Sequence, residues 1–307
     1  MRIPELYREK KPVFSLEVFP PKRKTNRESI YKAVKKLAGC RPDFISVTYG
    51  AGGNIADNST CEIASSIKRD FGIETVAHLT CVNSTREDVK EMIGRFAEAE
   101  IENVMALRGD IVPGENIRRE YRHANELAIE IQRMCNDQLQ ILGACYPEGH
   151  YQSESLDSDI QNLKYKIGAG VQVLISQLFF DNDAFYDFLD RARGAGINVP
   201  ISAGIMPIVK SSQIEKTVQL SGASLPHEFT AMIGRCEHDP EGLYEAGIAF
   251  AVKQIRDLIE HGVDGVHLYT MNDPNVAIRV WDGVKDLLSM NCIEGFTEVI
   301  RAKAKGM

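Results

Sequence analysis

The sequence predicts a single-domain α/β protein, a (β/α)8 TIM barrel built by residues 1–307. Three observations indicate this fold: eight apolar strand-like runs, a helix-like stretch after each run, and polar side chains where the runs end. Dense Val, Ile and Leu is typical of strands that are buried on both faces. Eight such strands alternating with helices close most simply into a barrel, which typically takes about 250 residues.

The predicted strands recur along the whole chain, at residues 13–19, 44–49, 75–81, 103–108, 140–146, 173–180, 200–205 and 265–271. Capping boxes, in which two side chains satisfy free helix amides, predict three helix starts. They pair Thr25 with Glu28, Ser59 with Glu62, and Ser84 with Glu87. One connection is unusually long, which predicts an extra excursion over residues 221–242 before a long helix.

Composition narrows the class of partner. A formal net charge of −7, with no basic stripe, argues against a nucleic-acid surface and favours a small molecule. The seven cysteines are widely spaced and include no Cys-x-x-Cys pair, which is typical of reduced thiols in a cytoplasmic protein. No run reaches the ~18 apolar residues of a membrane span, and the N-terminus lacks an apolar signal core. We therefore expect a cytoplasmic protein without a membrane span.

Polar groups cluster where the predicted strands end. The carboxyl ends of barrel strands meet on one rim, and that rim carries the active site of TIM-barrel enzymes. These end residues can donate protons, accept protons and orient a ring. They are Glu17, Thr48, His78, Arg108, Asp110, Tyr146, Glu148, His150, Gln177, Tyr269 and Thr270.

Glu17 is the strongest candidate acid. It lies in an apolar strand that runs directly into Pro20 and Pro21. A poorly solvated carboxyl group has a raised pKa, which would let Glu17 donate a proton near neutral pH. An equally weighted alternative is a glutamate inside the barrel that pairs with a cation from a neighbouring strand.

Other strand ends are more ambiguous. Arg108 and Asp110 flank Gly109 and can hold a polar heterocycle, although a simple salt bridge between them is slightly favoured. Gln177 is an amide in an apolar strand, where a ligand and a satisfied core amide are equally plausible partners. His78 lacks further ligands at metal-binding spacing, so no metal is expected.

Several cofactor signatures are missing from the sequence. No Gly-x-Gly-x-x-Gly follows a strand, and no phosphate-binding loop with the pattern Gly-x-x-x-x-Gly-Lys is present. Three lysines, Lys22, Lys24 and Lys210, lie beyond strand ends, which weakens a Schiff-base aldolase. A flavin-free lyase or aldolase on the same barrel stays open as an alternative function, because fold does not determine function.

Taken together, the strand-end motifs resemble those of the methylenetetrahydrofolate reductases over nearly the whole chain. The order and spacing of the motifs carry the resemblance. They are Phe-Ser-Leu-Glu-Val-Phe-Pro-Pro at 14–21, Ser-Val-Thr-Tyr-Gly-Ala at 46–51, His-Leu-Thr-Cys at 78–81, Leu-Arg-Gly-Asp at 107–110, Tyr-Pro-Glu-x-His at 146–150, Asn-Leu-Lys-x-Lys at 162–166, Gln-x-Phe-Phe-Asp at 177–181 and His-x-Tyr-Thr at 267–270. The length corresponds to the catalytic barrel of that family alone.

The resemblance implies that FAD binds non-covalently at the carboxyl-terminal rim. A negative charge from Asp110 would lie near the flavin ring and lower its potential. The implied flavin contacts are Thr48, Tyr49, Ala51, His78, Arg108, Gly109, Asp110, Ala124, Tyr146, His150, Asp159 and Lys166.

The resemblance also implies the reaction. Hydride from NADH, or from NADPH as second choice, would pass by way of the flavin to 5,10-methylenetetrahydrofolate in a ping-pong sequence that yields 5-methyltetrahydrofolate. Glu17 would act as general acid, Asp110 and Gln177 would complete the catalytic set, and Thr48, Gln177 and Tyr269 would join Glu17 in contacting folate. An electron-delivering partner protein remains a third possible donor, and a homo-oligomer is expected.

The chain departs from the family pattern at two positions. Relatives commonly have an arginine after the last strand, within a Tyr-Thr-x-Asn-Arg segment, where this chain has Asp273. Ten residues beyond Pro207 stands Thr217, where some relatives have an aromatic residue. These positions bear on the folate tail and on the electron donor, respectively.

Overall fold

The computed structural model describes residues 1–21, 27–49, 59–111, 120–214, 217, 222–236 and 238–288. Ala51, Lys22, Lys24 and Thr25 lie outside the described residues.

Eight parallel strands close into one barrel in chain order, and the last strand pairs with the first. The strands are β1 (Val13–Val18), β2 (Phe44–Val47), β3 (Glu74–Thr80), β4 (Asn103–Leu107), β5 (Gln140–Cys145), β6 (Val171–Ser176), β7 (Ile201–Ile205) and β8 (Gly265–Tyr269). The predicted TIM barrel is therefore confirmed. Strand β6 ends at Ser176, so the expectation that Gln177 lies inside a strand was wrong; it follows the strand end.

Helix α1 (Ile3–Glu9) precedes β1, and the other helices follow strands on the outside of the barrel. The helices after β1 to β6 are α2 (Arg27–Leu37), α3 (Ser59–Phe71), α4 (Arg86–Glu98), α5 (Ala124–Cys135), α6 (Leu156–Gly168) and α7 (Asn182–Gly194). The helices between β7 and β8 include His227–Arg235 and Pro240–Glu260, and another helix spans residues 274–288. The helix His227–Arg235 lies within the predicted excursion over residues 221–242. No helix in the described ranges is long and apolar enough to cross a membrane.

The capping box of α4 lies one residue later than predicted. Thr85 accepts from the Asp88 backbone at 3.1 Å, and the Asp88 carboxylate accepts from the Thr85 backbone at 2.7 Å. Ser84 instead donates its hydroxyl proton to the Thr80 carbonyl at 2.8 Å. The predicted pair of Ser84 and Glu87 was therefore wrong, because a local serine–backbone bond competes with capping.

The side chains inside the barrel are mainly apolar at the amino-terminal end and become polar towards the carboxyl-terminal end. At the amino-terminal end, Ile3 of α1 closes the barrel against Val13, Phe44, Val76 and Met105. Burying each large apolar side chain contributes roughly 1.5–3 kcal/mol. One layer higher the interior is polar, and three fully buried side chains occupy it: Ser15, Ser46 and His267. This polar layer lies directly beneath the carboxyl-terminal rim.

Candidate active site

Glu17 lies at the top of the barrel interior. Successive strand residues point to opposite faces, so Glu17 shares the inner face with Ser15. The parallel registers place Glu17 opposite Ser46 of β2 and Tyr269 of β8. Its side chain is 19% exposed, so one edge of the carboxylate remains open to a ligand.

Two histidines flank the Glu17 carboxylate. The Nε2 atoms of His78 on β3 and of His267 on β8 each lie 3.6 Å from Glu17 Oε2. The Ser46 hydroxyl lies 3.4 Å from His267 Nε2 and donates to Glu17 Oε2 at 3.4 Å. The open choice between a solvated acid and a cation-paired interior glutamate therefore resolves into a carboxylate between two imidazoles.

These neighbours reverse the expected shift of Glu17. Burial is the largest single effect and raises the pKa of the carboxyl, as expected from the sequence. A hydrogen bond from His267 and the charges of His78 and His267 together outweigh burial and lower the pKa below its ordinary value. The prediction of a raised pKa was therefore wrong for the ligand-free protein, because sequence reasoning did not place the histidines beside the carboxyl.

His78 is the more isolated of the two histidines. Its side chain is buried, and its Nε2 atom has no hydrogen-bond partner within the described part of the chain. Burial is the main cause that lowers the pKa of His78 to about 4, against the opposing attraction of Glu17. His78 is therefore neutral near pH 7, and its unsatisfied nitrogen is available to a ligand.

Tyr269 spans the barrel top from β8 to β6. Its hydroxyl donates to the Ser176 carbonyl at 2.7 Å, and burial raises its pKa well above the ordinary value. The ring passes over Gly204, where an added Cβ would lie 2.8 Å from the Tyr269 ring and 2.2 Å from the Ser176 carbonyl oxygen. Because the hydroxyl is already engaged, Tyr269 offers a ligand its ring.

A polar clamp holds the end of β1. The Thr270 hydroxyl donates to the Glu17 carbonyl at 2.6 Å. The Asn272 side chain accepts from the Phe19 amide at 3.0 Å and donates to the Phe19 carbonyl at 2.8 Å. Asn272 has a positive φ of 56°, which asparagine tolerates better than most residues. The segment after β8 thus fixes the backbone that carries Glu17.

A second group of polar side chains lies after β4 and β5. The Lys166 ammonium donates to the Ala144 carbonyl at 2.8 Å and lies 5.8 Å from the Tyr146 ring centre. The Tyr146 and His150 rings meet edge to face at 4.7 Å. The buried Asp159 accepts from the His150 amide at 3.3 Å. Four predicted flavin contacts therefore lie together.

Lys166 and Arg108 bring positive charge to this second group, and Asp159 brings a negative charge. Burial is the main cause that lowers the pKa of Lys166, and the charge of Arg108 acts in the same direction. Burial likewise lowers the pKa of His150, with Arg108 and Lys166 adding repulsion. Within the described ranges the Lys166 ammonium donates to a carbonyl and to no carboxylate, and it lies near Arg108, so this group can bind an anion.

Arg108 and Asp110 do not pair with each other. The Arg108 guanidinium donates to the Gly109 carbonyl and to the Gln152 side chain, while Asp110 is exposed. The slightly favoured salt bridge was therefore wrong. Gly109 has a φ of 87°, and an added Cβ would lie 3.1 Å from Thr80 Cβ, so the turn that separates the two charges needs glycine.

The oxygen of the Gln177 side-chain amide already has a hydrogen-bond partner. Its Oε1 accepts from the Leu178 backbone at 2.9 Å, and its own backbone amide donates to the Cys145 carbonyl at 2.7 Å. No residue in the described ranges accepts from Gln177 Nε2. The side chain is therefore held in place by its oxygen, with its nitrogen left to donate to a ligand.

The remaining predicted contacts lie on the same rim. Thr48 and Tyr49 follow β2, and the Thr48 amide donates to the Val18 carbonyl at 3.0 Å. Ala124 is the first residue of α5, which follows β4. Of the whole predicted set, only Ala51 falls outside the described residues.

Asp273 has a local role that the sequence did not reveal. Its carboxylate accepts from the Asn275 backbone amide at 3.1 Å at the start of the helix over residues 274–288. It also lines a cavity of about 250 Å³ between the ends of β7 and β8, together with Lys210 and Tyr269. Thr217, the other departure, is buried.

Sequence reasoning missed the residues beneath the rim. His267 was part of a recognised motif but received no role, and Ser15, Ser46 and Asn272 received none either. The available signal was the two-residue period of a strand, which places His267 on the same face as Tyr269. Their convergence on Glu17 depends on barrel closure, which no local pattern specifies.

Comparisons of the sequence and of the fold with known proteins identify the family of this chain. The family model described as methylenetetrahydrofolate reductase matches residues 2–285. A Schizosaccharomyces pombe protein named methylenetetrahydrofolate reductase 1 is 35% identical over 85% of this chain and 44% of its own length. A Pectobacterium carotovorum protein named 5,10-methylenetetrahydrofolate reductase is 33% identical over 87% of this chain and 88% of its own length. The chain thus spans less than half of the yeast relative but most of the bacterial one.

Solved structures share the fold at low sequence identity. A Clostridium thermocellum protein that binds two copies of 5-methyl-5,6,7,8-tetrahydrofolic acid matches with a TM-score of 0.64 and 15% identity, over 93% of this chain and 98% of that one. A Xanthomonas albilineans dihydropteroate synthase matches with a TM-score of 0.51 and 13% identity, over 90% and 93% of the two chains. The match of the family model over most of the chain decides the assignment: this chain belongs to the methylenetetrahydrofolate reductase family.

Proposed function

We propose that this chain reduces 5,10-methylenetetrahydrofolate to 5-methyltetrahydrofolate, using bound FAD and a nicotinamide nucleotide as electron donor. The observation that carries the proposal is the placement of Glu17, a carboxyl group 19% exposed at the centre of the barrel mouth. Membership of the family supports the same substrate, because its bacterial relatives carry the name 5,10-methylenetetrahydrofolate reductase.

The residues present fit a flavin dinucleotide. The pyrophosphate is anionic, and Lys166 and Arg108 bring positive charge to the rim, with the imidazole of His150 beside them. The unsatisfied His78 Nε2 lies beside Glu17, where a ring edge with polar atoms would give it a partner. We propose that the twelve flavin contacts implied by the sequence hold FAD. Bound there, FAD would supply the hydride that the folate accepts.

Glu17 would protonate N10 of the folate. Protonation opens the five-membered ring and leaves an iminium carbon, which accepts hydride far better than the closed ring. The lowered pKa of Glu17 in the ligand-free protein means that its proton must come as ligands bind. Covering the exposed edge of Glu17 removes water from the carboxylate and raises its pKa.

Gln177 and Tyr269 would orient the folate. The oxygen of the Gln177 amide is held by the Leu178 backbone, so its nitrogen can donate to a ring acceptor without rotating away. The Tyr269 ring is fixed by its bond to Ser176 and offers an apolar face. Fixed groups of this kind lower the entropic cost of aligning the reacting atoms.

NADH is the proposed first choice of donor. The relatives from Arabidopsis thaliana and Zea mays, 34% and 31% identical, carry NADH in their names. NADPH is the second choice.

The experiment is an anaerobic sequence of two additions to the purified protein. NADH should bleach the flavin absorbance, and 5,10-methylenetetrahydrofolate added afterwards should restore it while 5-methyltetrahydrofolate appears in the mass spectrum. Without folate the sample should stay bleached, which controls for oxygen. A colourless protein that takes up no FAD would contradict the proposal, and so would a reduced flavin that methylenetetrahydrofolate cannot reoxidise.

A further inference from the structure

Two histidines lie at the same distance from Glu17, but their surroundings differ. Each Nε2 atom is 3.6 Å from Glu17 Oε2. An imidazolium has two N–H groups and needs an acceptor for each. A buried histidine can therefore hold a positive charge only where both of its ring nitrogens have an acceptor.

His267 has an acceptor on both sides. Its Nδ1 lies 2.7 Å from Ser15 Oγ, and the Ser15 hydroxyl donates a hydrogen bond to the Val266 carbonyl at 3.3 Å. Its Nε2 lies 3.4 Å from Ser46 Oγ, and Ser46 donates in turn to Glu17 Oε2 at 3.4 Å. His267 is completely buried. These hydrogen bonds form one continuous chain from the Val266 carbonyl to the Glu17 carboxylate.

His78 lacks such a chain. Its Nε2 has no hydrogen-bond partner within the described ranges. Burial lowers the pKa of the imidazole to about 4, so the ring is neutral near pH 7. The other titratable group against Glu17 is Tyr269, whose pKa burial raises far above the ordinary value. Cys145, at the end of β5, and Tyr146, directly after it, also act on Tyr269, and burial raises the pKa of both to about 12. Near neutral pH, His78 and Tyr269 are therefore uncharged beside Glu17.

We propose that His267 stores the proton that Glu17 delivers: the pair is an imidazolium and a carboxylate while the mouth is open, and becomes a neutral imidazole and a carboxylic acid when folate covers Glu17. This inference rests on the proposed function, since it explains how an ionised Glu17 becomes the acid. In the transfer the Nε2–H bond breaks and the Oε2–H bond forms, either directly or through Ser46 Oγ. The Nδ1 proton stays on His267, held by Ser15.

The driving force is the loss of water from the exposed edge of Glu17. A buried ion pair is stable only while each charge keeps its stabilising contacts, and desolvation favours the neutral pair. Because the proton moves within the pair, folate binding needs no proton from solvent. His267 thus acts through Glu17, as a positioning residue that also holds the proton.

Nitrogen NMR of flavin-loaded protein that carries isotope-labelled histidine measures the protonation state of each ring nitrogen. Near neutral pH, the His267 signal, identified by its loss in His267→Gln, should be that of an imidazolium. In Glu17→Gln it should be that of a neutral ring. Saturation with folic acid, which has no methylene bridge to reduce, should make the wild-type signal neutral and protonated at Nδ1. A neutral His267 in the open wild-type protein overturns the proposal, and so does an imidazolium that persists in the complex.

Calorimetry of folic acid binding in buffers of different ionisation enthalpy counts the protons taken up. Wild-type protein should take up close to none, whereas His267→Gln should take up about one per site, because Glu17 must then be protonated from solvent. His261→Gln, which removes an exposed histidine outside the site, is the control and should resemble wild type. Equal uptake by wild type and His267→Gln would contradict the proposal.

The two proposals fail separately. A protein with the expected proton pattern whose flavin is not reoxidised by methylenetetrahydrofolate contradicts the proposed function alone. A protein that turns over with a neutral His267 throughout contradicts the stored proton alone. If His267→Gln does not fold, the wild-type spectrum and its response to folic acid still test the stored proton. The His267 signal is then assigned from Ser15→Ala, which should shift that signal more than any other histidine signal.

Discussion

The Glu17 carboxylate and the His267 imidazole lie 3.6 Å apart at the top of the barrel interior. They come from the first and last strands, which meet only because the barrel closes. Barrel closure therefore sets both the position and the charge state of the residue proposed to donate the proton.

Asp110 should lower the potential of a bound flavin. Its charge opposes the additional negative charge of the reduced ring, so Asp110→Asn should raise the midpoint potential. Asp110 is exposed, so solvent and salt should keep the change small. A potentiometric titration measures it, ideally at low and high salt. A midpoint that stays constant or falls in Asp110→Asn would place the carboxylate away from the ring.

Lys166 should contribute strongly to FAD affinity. Its buried ammonium bonds to one carbonyl and can form a charge-assisted bond with the pyrophosphate. Lys166→Met should weaken FAD binding roughly 10- to 100-fold, equivalent to the ~1.5–3 kcal/mol of such a bond. Lys164→Met is the matched control, because Lys164 is exposed on the same helix. Fluorescence titration of the flavin-free protein measures both, and equal affinities would remove Lys166 from the site.

Gly204 should be intolerant of a side chain. Because an added Cβ would lie 2.2 Å from the Ser176 carbonyl oxygen, Gly204→Ala should destabilise the protein by about 1–3 kcal/mol and displace Tyr269. Gly168→Ala is the control: it lies in α6 with no atom within 4 Å of the added Cβ, and alanine is the better helix former. Thermal unfolding compares the two. If Gly204→Ala unfolds at the wild-type temperature, the close packing of Tyr269 is refuted.

Asp273 combines a helix cap with a charge near the proposed folate site. Asp273→Asn keeps an acceptor for the Asn275 amide and removes the charge, so stability should hold. The folate KM should fall severalfold at most, since a partly exposed charge such as that of Asp273 contributes ~1 kcal/mol or less. Asp273→Arg loses the cap as well and should cost about 1 kcal/mol of stability. Denaturant unfolding and KM at two salt concentrations separate the effects. If Asp273→Asn leaves the folate KM unchanged at both salt concentrations, the carboxylate is remote from the folate tail.

Much of the fold could be predicted because it rests on local patterns. Apolar strands and polar strand ends appear in the sequence itself, and they predicted all eight strands within a few residues. The end of β6 was missed because Leu178 and Phe179 continue the apolar pattern, whereas the Leu178 amide bonds to the Gln177 side chain instead of to a neighbouring strand.

The chemistry of the site was harder to predict than its location. Burial of Glu17 was foreseen, but the direction of its pKa depends on His78 and His267, which are distant in sequence and adjacent only across the closed barrel. The role of Asp273 as a cap was likewise hidden, because the comparison with relatives directed attention to the missing arginine rather than to the Asn275 amide.

Glu17→Gln tests the central claim most directly, with each half-reaction followed by anaerobic stopped flow. The variant keeps the shape of the side chain but has no acidic proton. NADH should therefore reduce its flavin at the wild-type rate, while reoxidation by methylenetetrahydrofolate should slow by ~10²- to 10⁴-fold, as expected for the loss of a general acid. Glu87→Gln, an exposed change on α4, should leave both rates unchanged. Loss of the NADH step with normal reoxidation by folate would contradict the role of Glu17.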